Sequence, residues 1–258
     1  MNDPARQPVE DHWAELRSAT RARIGLGRVG NSLPSRRVLE FKAAHSAARD
    51  AVHEPLDVDN LAEQIGDLDV GPPLHVQSRA DCRGEYLRRP DLGRQPADLS
   101  HLPETGTDIA IVLADGLSPR ALTDHGRGLL QALLDVFGSA YTLSPPVIAT
   151  QARVALGDHI GEALRAQTMI MIIGERPGLS VADSLGIYLT HHPRAGRTDA
   201  DRNCISNIHP PDGLDYATAA AITAALVDGA RKLGRSGVAL KDTSRGQLSE
   251  SDAPVLDV

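Results

Sequence analysis

The sequence predicts an α/β fold, a mostly parallel sheet flanked by helices, behind a mainly helical N-terminal region. Three observations carry that expectation. Asp108–Leu113 (DIAIVL) and Thr168–Ile173 (TMIMII) are short, almost uninterrupted apolar runs, the pattern of strands buried on both faces. From Asp108 onward such runs alternate with helical segments of roughly 12–18 residues, long enough for right-handed crossovers between parallel strands. Apolar residues make up 41% of the 258, enough for a substantial core, while aromatics are only 3%, so that core must be built from Leu, Ile, Val and Ala.

The elements follow in order. Val9–Ile24 reads as a helix because Trp13, Leu16, Thr20 and Ile24 recur at spacings of three and four. Arg36–Val52 reads as a second helix, with Val38, Phe41 and Ala44 to Ala48 in register, and Leu56–Ile65 as a short third. Gln95–Thr107, with two prolines and few apolar residues, reads as a linker. These features divide the chain into a mainly helical region, 1–104, with partner-contact loops, and a second region, 105–258, holding the sheet. In the second, Asp108–Leu113 is a strand and Pro119–Val136 a helix, with Ser118 as N-cap and Pro119 at the first helical position. Ser139–Ala149 contains a strand interrupted by Pro145 and Pro146, and Val154–Ala166 is a helix. Thr168–Ile173, Gly186–Thr190 and Gly237–Leu240 are strand candidates, Tyr216–Leu233 an Ala-rich helix, and the polar tail from Asp242 is expected to fray.

Charge narrows the function. The net charge of −7, with the signs interspersed, gives no basic footprint for duplex DNA. So few aromatics leave no stacking platform for single strands. No apolar run approaches the roughly 18–20 residues of a membrane span, and the opening MNDPARQPVEDHW lacks the apolar stretch of a signal peptide. Cys82 and Cys204 are expected as free thiols. The expectation is a cytoplasmic protein that binds neither nucleic acid nor membrane.

Candidate motifs divide into decoys and a site. Gly25-Leu-Gly-Arg-Val-Gly30 matches a dinucleotide fingerprint in letters only. An arginine-rich helical segment precedes it where a buried strand is required, and Pro34 arrives before any helix starts. Gly174-Glu-Arg-Pro-Gly178 lacks the Lys-Ser/Thr ending of a phosphate loop. Asp199-Ala-Asp-Arg-Asn-Cys204 lacks the glycine and distal glutamate of a calcium loop, and His191 and His192 belong to no metal-binding spacing. The arginines Arg21, Arg23, Arg28, Arg88, Arg89 and Arg94 sit in Gly- and Pro-containing loops and suit either solvent or an acidic partner. The block Gly174–His209 is different. It is dense in hydrogen-bonding side chains and begins where a buried strand ends, the place where open α/β sheets bind ligands. Glu175 is placed there with its acceptor oxygens facing a ligand. Cys204 is read as a small residue lining the site, since no base partners it.

Several ordered motifs resemble one family, the small (light) subunit of ethanolamine ammonia-lyase. They are Ser18-Ala-Thr-Arg-Ala-Arg-Ile-Gly-Leu-Gly-Arg28, Tyr86-Leu-Arg-Arg-Pro-Asp-Leu-Gly-Arg94, Ala114-Asp-Gly-Leu-Ser118, Gly174-Glu-Arg-Pro-Gly-Leu179, Asp183-Ser-Leu185 and Ala200-Asp-Arg-Asn-Cys-Ile-Ser-Asn-Ile-His209. The resemblance spans about Leu16 to Lys241. It implies a Rossmann-type domain that binds adenosylcobalamin together with a large catalytic subunit in a hetero-oligomer. Val154, Glu175 and Cys204 match the family's cobalamin-contacting positions, with Arg153 a neighbour, and no residue of this chain is implied as acid, base or nucleophile. Cobalamin proteins that displace the cofactor's own base use Asp-x-His-x-x-Gly, whereas Asp158-His-Ile-Gly161 has the wrong spacing, so the implied arrangement is base-on. The resemblance leaves plain cytosol and a bacterial microcompartment as rival locations.

Overall fold

The computed structural model describes residues 11–138 and 140–242. The tail beyond Asp242 and the first two residues of the expected Val9–Ile24 helix lie outside them. The strands are β1 (Leu74–Gln77), β2 (Ile109–Ala114), β3 (Val147–Thr150), β4 (Thr168–Gly174), β5 (Leu185–His191) and β6 (Asn203–Ile208). The helices are α1 (Ala14–Ser18), α2 (Ser35–His53), α3 (Val58–Ile65), α4 (Arg83–Arg88), α5 (Pro119–Phe137), α6 (Leu156–Ala163) and α7 (Tyr216–Leu233).

The six strands form one mixed sheet in the order β1-β3-β2-β4-β5-β6. Pairings β1–β3, β3–β2 and β2–β4 are parallel, while β4–β5 and β5–β6 are antiparallel. The reversal at β5 has a simple cause. Residues 175–184 connect β4 to β5 without a helix, and a segment that short cannot carry the chain back to start a parallel strand.

Side chains alternate cleanly on the central strands. Ile109, Ile111 and Leu113 of β2 and Ile170 and Ile172 of β4 face Leu122, Leu129 and Leu133 of α5, Leu226 and Val227 of α7, and Leu61 and Ile65 of α3. Ala110, Val112 and Ala114, with Met169 and Met171, face Leu156 and Ile160 of α6. Helices thus cover both faces of the sheet. The expected N-cap of α5 is present: Ala121 N donates to Ser118 Oγ at 3.3 Å, with Pro119 opening the helix.

Several elements differ from the sequence reading. The helix expected over Val9–Ile24 is a single turn, α1, whose Trp13 and Leu16 find no core and stay half exposed. Arg17 instead donates to Gly25 O at 2.8 Å, holding an irregular arm. Strands β1 and β6 were not expected, because both are sheet edges with too little apolar alternation to register. β1 falls within 1–104 yet completes the sheet. No strand forms at Gly237–Leu240. Gly237 has φ +89° and lies against Ala200 O, while Asn203 Nδ2 donates to the carbonyls of Gly237 and Leu240, so the segment is a turn.

A buried histidine gives the fold a pH signature. His191 at the end of β5 is buried with Nδ1 2.8 Å from Thr168 Oγ1. Burial, then the neighbouring His192, lowers its pKa from 6.5 to about 4. The unfolded chain therefore binds a proton that the folded chain refuses, and this residue's contribution to stability is lost as pH falls from about 6.5 towards 4. Asp115, pushed up to about 6 by burial, acts in the opposite sense over an overlapping range. The prediction is accordingly a difference: in urea unfolding, wild type loses stability relative to His191→Gln between pH 6.5 and pH 4. Parallel curves would show that His191 is not held neutral.

Candidate functional site

The chain crosses from one side of β2 to the other at its carboxyl end, where β2 runs on to β3 and β3 runs on to β4. The turns after these strands therefore diverge and leave a crevice. The turn at Gly116 makes the approach possible. It has φ +54°, Leu117 N donates to Gly174 O at 2.9 Å, and a Cβ at Gly116 would lie 2.1 Å from that same oxygen.

A buried polar frame stiffens the crevice. Asp115 accepts from Gln151 N at 2.7 Å and Ala152 N at 2.9 Å, tying the end of β2 to the end of β3. Its partner Arg83, on α4, lies 3.3 Å away and also donates to Gly116 O at 2.8 Å and Val52 O at 2.7 Å. Tyr86, fully buried, donates to Ala152 O at 3.0 Å, and burial raises its phenol above the ordinary value. The guanidinium groups of Arg83 and Arg153 lie 4.8 Å and 4.4 Å from its ring centre, within cation–π range. Gly93 completes the frame, accepting from Arg153 N at 2.8 Å in a space where a Cβ would meet Arg153, Gln151 and Tyr86 at 3.0 Å.

Above this frame lies a cleft of about 440 Å³ whose walls include Arg153, Val154, Glu175, Arg176 and Tyr188. Three of the four expected site residues, Arg153, Val154 and Glu175, thus meet in one cavity. Glu175 follows β4 directly. Ser184 Oγ donates to its Oε2 at 2.7 Å and Asn207 N at 3.2 Å, and its own N–H donates to Ser184 O. The carboxylate therefore ties the start of β5 to the end of β6. Cys204 stands one strand away from the cavity wall. It pairs in register with Tyr188, shares a hydrogen bond with it, and lies within electrostatic reach of Glu175. Desolvation raises the Cys204 thiol, with Glu175 acting in the same direction, and the Tyr188 phenol is pushed up to about 12 by burial and by Cys204. A thiol held protonated suits a contact residue rather than a nucleophile.

Sequence reasoning missed Arg83, Asp115 and Tyr188. Tyr86 was quoted only as part of a motif, and the Asp115-Gly116 turn was read only as a strand-to-helix connection. The loop arginines separate. Arg21 pairs with Asp212, Arg23 donates to Leu179 O at 3.1 Å and Arg89 pairs with Asp91 at 2.7 Å, whereas Arg94 faces a second cavity beside the cleft. The Gly25–Gly30 segment is a turn closed by a Val29–Ser32 bridge, with no strand leading into it.

Comparison with known proteins places these features in context. The family model described as ethanolamine ammonia-lyase light chain (EutC) matches residues 10–241. A protein of Rhodococcus erythropolis named ethanolamine ammonia-lyase small subunit is 65% identical over 244 residues, covering 95% of this chain and 95% of its own length. Proteins of the same name from Pseudomonas fluorescens (strain Pf0-1) and Xanthomonas campestris pv. campestris (strain B100) are 44% and 45% identical, each over 262 aligned residues. They cover 98% and 96% of this chain and 94% and 92% of their own lengths. With nearly the whole chain matched, cleft motifs included, the chain belongs to the ethanolamine ammonia-lyase light chain family.

Proposed function

We propose that this chain is the small subunit of an adenosylcobalamin-dependent ethanolamine ammonia-lyase, which converts ethanolamine to acetaldehyde and ammonia together with a large catalytic subunit. The observation that carries the reading is the convergence of Arg153, Val154 and Glu175 on one cleft at the sheet's carboxyl end in a chain of this family.

The residues present fit a corrinoid. Arg153 lines the cleft and its buried Nε has no partner among the described residues, a donor suited to a ligand rich in amides. The cleft is too small to enclose a corrin, so this chain would cover one side of the cofactor and leave the other to the large subunit. Arg153 and Tyr188 would orient the ligand, Glu175 would accept from its amide groups, and Val154 with Ile173 would exclude water from its edge. The radical chemistry would come from the bound cofactor, so the work of this chain is binding and orientation. Two features support the base-on form. Asp158 is committed to an ion pair with Arg202, and among the described residues none lining the cleft is a histidine.

Residues 105–258 form the Rossmann-like cobalamin-binding unit in this proposal, with β1 lent to its sheet, and 1–104 supply partner contacts. α2 supports that assignment: over 19 residues it buries only Ala51 and leaves Leu39 and Phe41 exposed, a surface suited to a protein partner. No described helix is long and apolar enough to cross a membrane, and we place the enzyme in the cytoplasm, with packaging in a bacterial microcompartment as the variant to test by fractionation. The functional test is reconstitution. Mixing this chain with its large subunit and adenosylcobalamin is expected to release acetaldehyde from ethanolamine, with neither chain active alone. A mixture without activity, from subunits that demonstrably associate, would reject the reading.

A further inference from the structure

The polar groups that hold Glu175 do not end at Ser184. Ser184 closes the loop 175–184 and is tied to Glu175 twice: its hydroxyl donates to the carboxylate at 2.7 Å, and its carbonyl accepts from Glu175 N at 3.0 Å. The two residues before it are anchored to α5 instead. Ser118 Oγ, at the start of that helix, donates to Ala182 O at 2.8 Å. About two turns further along, His125 lies with Nε2 3.8 Å from Asp183 Oδ2.

A relay continues from His125 into α7. Its Nδ1 lies 2.7 Å from the Tyr216 hydroxyl, and the two rings meet edge to face at 6.0 Å. Tyr216 is seated closely, since a Cβ at Gly128 of α5 would lie 2.5 Å from its ring. Burial holds the Tyr216 phenol above its ordinary value, so it keeps its proton and donates to Nδ1. An imidazole that accepts at Nδ1 carries its proton on Nε2. That proton faces Asp183. Nε2 is buried and has no hydrogen-bond partner among the described residues, while the carboxylate stands at ion-pair distance and can only accept. The His125 side chain is 12% exposed, so the Nε2 proton has little water to turn to. The gap is about 1 Å longer than a hydrogen bond, which a small movement of Asp183 closes.

We propose that His125 is a positioning residue for the cleft. With Tyr216 it latches Asp183, and through the Asp183–Ser184 step of the chain it fixes where the Glu175 carboxylate stands. The assignment rests on the cobalamin reading above. His125 does not line the cleft, and among the described residues it shares no hydrogen bond or ion pair with any residue that does. Its effect on a ligand therefore passes through Glu175.

The test is a double-mutant cycle read as cyanocobalamin affinity of the complex of this chain with its large subunit. His125→Leu and Asp183→Ala are each expected to weaken binding about three- to tenfold, the range for one hydrogen bond. In the Glu175→Gln background neither is expected to add a further loss. His125→Gln, whose amide still donates from the place of Nε2, is expected to recover part of the affinity. Asp183→Ala keeps the test open if His125→Leu fails to fold, because the Asp183 side chain is 37% exposed and His125 is its one charged partner among the described residues. The same fold-loss in both backgrounds would show that the relay serves the fold and not Glu175, and no loss in the wild-type background would show that it serves neither. Either result overturns the assignment and leaves the cobalamin reading in place. A wild-type complex that binds no cyanocobalamin overturns both.

Discussion

Arg83→Met is expected to lower the stability of the chain by about 3–5 kcal/mol, the cost of stranding one partner of a buried ion pair. Asp115 is almost completely buried, and Arg83 is the one cation paired with it among the described residues. Without the guanidinium, a charge faces a low-dielectric interior, and the carbonyls of Val52 and Gly116 lose their donor as well. The cleft floor is affected with it, since the same arginine stacks on Tyr86. Charge separates from shape in the double variant. Arg83→Met with Asp115→Asn removes both charges and keeps an acceptor for Gln151 N or Ala152 N, so it should recover part of the loss in urea unfolding. A double variant no more stable than the single one would show that the frame depends on geometry and not on charge.

The second large effect concerns the cofactor. Glu175→Gln is expected to weaken cobalamin binding by the complex about 10–100-fold, the range for losing a hydrogen bond to a charged group. The single amide oxygen of glutamine must serve both Ser184 Oγ and Asn207 N, which turns the NH2 group towards the cleft and places a donor where the ligand meets an acceptor. Stability should change little, because both internal donors keep their partner. Glu175→Ala is a poorer probe. It frees Ser184 Oγ and Asn207 N together, and so perturbs the junction of β5 and β6 as well as the ligand. Unchanged cobalamin affinity in Glu175→Gln would remove Glu175 from the site.

The core was readable from sequence where periodicity is strong. β2 and β4 are apolar on both faces, and α5 carries its Ser118-Pro119 start signal, so each declares itself locally. β1 and β6 do not. Four residues of Leu74–Gln77 are too few to show a period, and Asn203–Ile208 buries only Ile205 and Ile208. The reversed direction of β5 depends on the length of a loop, not on the strand's composition. The site was readable in proportion to its place on the chain. Glu175 follows an apolar run, and Arg153 and Val154 follow from family likeness. Arg83 and Asp115 could not be inferred as a pair, because 32 positions separate them and only the fold brings α4 against the end of β2. The two cavities share Arg153 and Val154, and periodicity read Val154 as the start of a helix that begins only at Leu156.

The most direct measurement is a spectroscopic titration of adenosylcobalamin, in the dark, into this chain alone, the large subunit alone and the two together. A cofactor held between two surfaces requires both, so tight binding is expected only in the mixture, with affinity restored on adding this chain to the large subunit. Binding by the large subunit with the same affinity in the presence and absence of this chain would contradict the account, because the cleft at the carboxyl ends of β2 and β4 would then contribute nothing to holding the cofactor.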